Sequence, residues 1–220
     1  VTSNEPLPPH RAERSRLCDL FERLGPDAPT LCEGWATADL AAHLVLREAY
    51  NPLPPLGIVV PPLHRLHDDA IVATKARLGF PAMVDRLRHG PPFGPMRLFD
   101  GLINVQEYFV HHEDARRGGG DHTPRPADEI ADLEAALWRN LRRGARFMTR
   151  SVRGVGLELR RPDGAAITAR PTPPGRPTAV LVGRAGEIVL YLLGRRDAAD
   201  VGIDGGDEAE QALAAARLGL

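Results

Sequence analysis

Lysine is almost absent from this 220-residue chain: of 28 basic residues only Lys75 is not an arginine. With 29 acids the formal net charge is −1, so no global field draws nucleic acid or an anionic membrane to the surface. Cysteine is scarce too. Cys18 and Cys32 form no CxxC pair and no disulfide framework, which fits a reducing compartment. No apolar run approaches the roughly 18 residues that a membrane-spanning helix needs. The opening stretch VTSNEPLPPH is polar and proline-rich, unlike a secretion signal. The expectation is a cytoplasmic protein. A nucleophile–histidine–acid triad is also missing, and the triple glycine at 118–120 lacks the Lys-Ser/Thr of a phosphate loop, so it reads as a connector.

What the chain does have is helical periodicity. Leu17, Leu20, Phe21 and Leu24 recur at helical spacing before Gly25-Pro26. Thr37 can cap a second helix, ADLAAHLVLREAY, which stops before Asn51-Pro52. Residues 51–62 read as an extended proline-rich loop. A third helical region covers about 63–89, broken near Gly79-Phe80-Pro81, and GPPFGP at 90–95 leads into a fourth helix at about 97–117. Residues 127–150 form a long amphipathic helix, acidic at its start and basic at its end, with Trp138 as a core anchor. The texture then changes. VGLELRR, AAITAR, AVLVG and VGIDG are short strand-like runs, with helices at 185–196 and in DEAEQALAAARLG. The pattern predicts a mainly α protein: a helical bundle over 1–150, then a small α+β domain over 151–220.

The fourth helix carries the chemistry. Asp100, Asn104, Glu107, His111 and Asp114 fall on one stripe at spacings of four, three, four and three. The rest of that helix is apolar nearly all round, except for a narrow window near Gln106, Glu113 and Arg117. A mostly apolar helix is a buried one, and a polar stripe buried with it needs partners. Glu107 and His111 project side by side, as two metal ligands on one helix or as a satisfied buried polar pair. His112 lies about 100° further round and needs a different target. His43, between Leu40, Leu44 and Leu46, also faces inward, as a ligand or as a hydrogen-bonded core histidine. Glu48 points elsewhere. His64 and His67 read as partly exposed surface, and nothing nearby in sequence activates Cys32.

PTLCEGWATADLAAHLVLRE (29–48) and NVQEYFVHHEDARR (104–117) together resemble the metal-binding domain of the mycothiol-dependent maleylpyruvate isomerases, in the wider DinB-like four-helix-bundle superfamily. Gly34-Trp35, Asp39-Leu40 and Ala42-His43-Leu44 match the first motif, and Glu107, His111 and Asp114 the second. GEIVLYLLGR and VGIDGG resemble the small sterol-carrier-like α+β domain that often follows. The stretch EYFVHHEDARR is most similar to an actinobacterial branch of unassigned activity.

The resemblance implies that His43, Glu107 and His111 ligate a divalent metal, zinc above all, with a fourth position open as in a catalytic site. It also implies that mycothiol supplies the thiol and that a C-terminal arginine, Arg195 by position, serves the substrate. Asp114 is then either a partner orienting His111 or an exposed residue near the helix end. Arg195, next to Arg196, is either that substrate arginine or a helix-terminal charge. The function expected is a zinc- and mycothiol-dependent isomerase or thiol transferase acting on a small molecule. A non-catalytic metal- and ligand-binding module is the alternative, and a plain helical scaffold a third reading. The partners expected are the small-molecule substrate and the low-molecular-weight thiol, with neither nucleic acid nor membrane, and monomer and dimer both stay open.

Overall fold

The computed structural model of the chain describes residues 7–48, 64–90 and 96–219, and within these the side chains of all but His64 and residues 96–103. The expected proline-rich loop at 51–62 and the side chain of Asp100 lie outside the described residues. The fold is mainly helical with one small sheet. Among the described residues the α-helices are α1 (Pro9–Leu24), α2 (Thr37–Glu48), α3 (His64–Leu78), α4 (Phe80–His89), α5 (Met96–Arg117), α6 (Ala131–Met148), α7 (Ala185–Leu192) and α8 (Asp207–Ala215). The strands are β1 (Gly156–Arg160), β2 (Ala166–Arg170), β3 (Thr178–Val182) and β4 (Gly202–Asp204). Among the described residues no helix is long and apolar enough to cross a membrane.

The break expected near Gly79 is there. Gly79 has φ +73°, a conformation that favours glycine, and Pro81 follows in the first turn of α4. Thr37 does not cap α2 as expected. It is the first helical residue, its hydroxyl donates to the Gly25 carbonyl, and Asp39 reaches back to accept from the Ala36 N–H at 3.1 Å.

The chain divides into two compact units, Val1–Asp121 and His122–Leu220. In the first, α1 packs on α4 and α5, while α2 packs on α3, α4 and α5. Leu17, Phe21, Leu40, Leu44, Met83 and Tyr108 join in one core. Cys18 belongs to that core, where burial pushes its thiol up to about 12 and leaves it unreactive at neutral pH.

In the second unit the strand order is β2-β1-β3-β4, with β1 and β3 parallel and the other pairs antiparallel. Leu157, Leu159, Ala179 and Leu181 are buried in alternation. Helix α6 packs on α7 and β2 through a face that includes Leu133, Leu137 and Leu141. The division thus falls at 121/122, not near 150. The switch from helical to strand periodicity marks where the element type changes, but a sheet of short strands still needs a helix to cover it.

Helix α5 is buried more completely than its sequence implies. Glu113 and Arg117, read as part of its solvent window, are each 1% exposed and pair at 2.6 Å, with Arg116 adding a second contact to Glu113 at 2.7 Å. Just beyond its end, a Cβ on Gly118 would lie 2.1 Å from the Pro29 carbonyl oxygen. The first glycine of the triplet is therefore a close-approach residue, not slack in a connector. Gly118→Ala should destabilise the protein by about 1–3 kcal/mol in urea unfolding, since backbone must move to admit the methyl. Gly119, with nothing within 4 Å of a built Cβ, should tolerate alanine to within about 0.5 kcal/mol.

Candidate metal centre

Helices α2 and α5 of the first unit bring His43, Glu107 and His111 together. One potential ligand atom from each lies within 4.8 Å of the other two. Glu107 and His111 are one turn apart on α5, which places Glu107 Oε2 3.7 Å from His111 Nε2. His43 meets His111 edge-on, with ring centroids 5.1 Å apart. His43 is 4% exposed, and its Nδ1 has no hydrogen-bond partner among the described residues. A buried ring nitrogen of that kind fits a metal-binding histidine better than a hydrogen-bonded core histidine. Two imidazoles and a carboxylate form a nitrogen–oxygen donor set suited to zinc.

The electrostatics point the same way. Burial, then the neighbouring His111, holds His43 well below its ordinary range, so its ring is neutral and ready to coordinate. Burial pushes on Glu107 in the other direction, but the nearby His111 ring and the charge of Arg47, 3.4 Å away, hold it down at about 2. Burial also opposes charge on His111, yet the hydrogen bond with Asp114 and the closeness of Cys32 and Glu107 raise it well above its ordinary range. The carboxylates that favour a proton on His111 favour a metal ion in its place.

The raised His111 stabilises the metal-free fold below its unfolded pKa of about 6.5, and that contribution is lost as pH rises through its folded pKa. The lowered Glu107 stabilises above its unfolded range, and that contribution is lost as pH falls toward about 2. Metal uptake near neutral pH should release about one proton per ion from His111. Apparent affinity should rise about tenfold per pH unit and level off above the folded pKa. Calorimetric titration in buffers of different ionisation enthalpy measures that proton.

Asp114 holds His111 in place. Its carboxylate is fully buried and accepts from His111 Nδ1 at 3.0 Å, which turns Nε2 toward Glu107 and His43. It also accepts from Cys32 Sγ at 3.3 Å, and its backbone carbonyl accepts from the Leu31 N–H at 3.0 Å. Cys32, His111 and Asp114 form a second close set of potential ligands, but there Asp114 is already engaged by two donors. The loop carrying Cys32 and Trp35 is shaped by Thr30, whose hydroxyl donates to the Trp35 carbonyl at 2.8 Å and accepts from the Cys32 N–H at 3.1 Å.

Glu48 accepts from the Tyr108 hydroxyl at 2.5 Å, and His112 donates from Nδ1 to the buried Glu13 at 2.7 Å. Arg195 lies in the second unit, just after α7, and donates from Nη1 to the Leu193 carbonyl at 2.7 Å. Arg196 donates to the Ala214 carbonyl at 2.9 Å and to that of Ala216, closing the end of α8.

Sequence reasoning missed Arg47, Cys32 and His67. His67 is buried rather than surface, stacked on Trp35 at 5.9 Å and set against His43 at 5.3 Å. The signal for it was its spacing from Ile71 and Thr74, both buried on the same face of α3.

No family model and no curated protein matches the chain. Among solved structures it is similar to a crystal structure of the mycothiol-dependent maleylpyruvate isomerase, with a TM-score of 0.56 at 18% identity, covering 89% of this chain and 88% of that one. A histidine-to-alanine mutant of that enzyme gives a TM-score of 0.54 at the same identity and coverage. The chain therefore has the fold of the mycothiol-dependent maleylpyruvate isomerase.

Proposed function

We propose that the protein binds a divalent metal, zinc above all, through His43, Glu107 and His111, and uses a low-molecular-weight thiol, mycothiol by analogy, to isomerise or transfer to a small electrophile. The observation that carries this reading is the close His43–Glu107–His111 cluster, with both histidines buried and Glu107 half-buried, on a fold shared with a mycothiol-dependent enzyme. On this reading the first unit is a DinB-like metal-binding domain built on a four-helix bundle, and the second is a sterol-carrier-like α+β domain. A bound zinc with three protein ligands would keep a coordinated thiol ionised near neutral pH.

The chain's own residues supply the rest. His43 contributes a neutral imidazole, and Glu107 a carboxylate kept ionised by His111 and Arg47. Asp114 fixes the ring of His111, and Trp35 packs against the ring of His43, with centroids 5.4 Å apart. Arg195 is the proposed substrate guanidinium, suited to pairing with a carboxylate in two-point fashion.

Cobalt substitution tests the thiol. The cobalt-loaded protein should gain a sulfur-to-cobalt charge-transfer band when mycothiol is added, and the Glu107→Ala protein should not. If mycothiol and simpler thiols leave the spectrum unchanged, the thiol-dependent reading fails. A charge-transfer band without thiol-dependent turnover of any electrophile tried would favour the non-catalytic metal- and ligand-binding module.

A further inference from the structure

His67 stands outside the three-ligand set, yet it is buried like a member of it. It is 5% exposed on α3, and neither of its ring nitrogens has a hydrogen-bond partner among the described residues. The ring is stacked on Trp35, with planes 29° apart, and meets His43 edge-on at 76°. Trp35, His43 and His67 therefore pack as a group of three rings beside the ligand cluster. A neutral imidazole carries one N–H and a protonated one two, so burying it without an acceptor is unfavourable. A phenylalanine would pack on Trp35 without that penalty. A buried polar ring with both nitrogens unmet among the described residues, next to a candidate metal centre, suits a group whose partner arrives with a ligand.

The charge balance says what kind of ligand. A divalent ion held by two neutral imidazoles and one carboxylate keeps a net positive charge, so its open position favours an anion. We propose that His67 is a ligand-binding residue. Its N–H donates to a small anionic molecule, a thiolate or carboxylate, seated at the open position of the metal. This rests on the metal reading above. His67 is one ring beyond His43 and is a neighbour of the ligands, not a fourth one.

The test uses the full chain loaded with cobalt, with mercaptoacetate as the probe, comparing the parent with His67→Phe and His67→Gln. Phenylalanine keeps a ring against Trp35 but has no N–H, while glutamine keeps a donor. The His67→Phe protein should bind cobalt as the parent does and be at least as heat-resistant when metal-free, because an unmet polar group is gone. Its Kd for mercaptoacetate, read from the cobalt spectrum, should rise about tenfold, and His67→Gln should recover most of that loss. An unchanged Kd in His67→Phe would overturn the proposal. So would a fall in cobalt affinity in that variant, which would make His67 a metal ligand. Failure of the parent to bind cobalt would remove the metal reading itself, and this proposal with it, whereas cobalt binding without any response to mercaptoacetate would remove this proposal alone.

Discussion

The His111→Ala protein should emerge from purification without bound divalent metal, while the parent carries about one ion per chain. His111 contributes the nitrogen facing Glu107 and His43, and its other nitrogen is engaged by Asp114. Removing it takes one of the three proposed ligands from the set. Losing a residue that merely orients a ligand typically costs 10–100-fold in metal affinity, so loss of the ligand itself should cost more than about 100-fold. His43→Ala and Glu107→Ala should match it, and Asp114→Asn should lie in the milder range. Elemental analysis by plasma mass spectrometry after dialysis decides. Full metal in the His111→Ala protein would sink the ligand assignment.

The next residue along should fail in a different way. His112→Ala should keep its metal but lose on the order of 3 kcal/mol of stability in urea unfolding. His112 points across to α1, where it donates to Glu13, a carboxylate with no exposure at all. Arg16 is 3.6 Å from the other oxygen of Glu13, with its own side chain about half exposed, so solvent screens that contact. Breaking one side of a buried polar pair costs more than the pair contributes, because the remaining group stays desolvated. His112→Gln, which retains a donor, should recover part of the loss. An unchanged unfolding midpoint for His112→Ala would mean that Glu13 gains little from His112.

Glu107 and His111 were legible because helical periodicity alone sets which side chains share a face, and Asp114 followed from the same arithmetic. That His112 needs another target was legible too, but the identity of that target was not, since Glu13 is 99 residues away on another helix. His67 sits before Asp68 and Asp69 on a helix with a weak apolar face, so local polarity pointed to solvent where tertiary packing put a core. Gly118 looked like slack because composition cannot register a carbonyl from Pro29 arriving against it. The assignment of α6 to the second unit depended on what its apolar face would cover, and a lone amphipathic stripe does not name its partner.

Zinc-edge X-ray absorption on the metal-loaded full chain, recorded before and after addition of mycothiol, tests the central claim most directly. The account predicts a first shell of nitrogen and oxygen at about 2.0–2.1 Å with the outer scattering of two imidazoles, and then one sulfur at about 2.3 Å once mycothiol is present. A shell that binds no sulfur, or one lacking imidazole scattering, would contradict it.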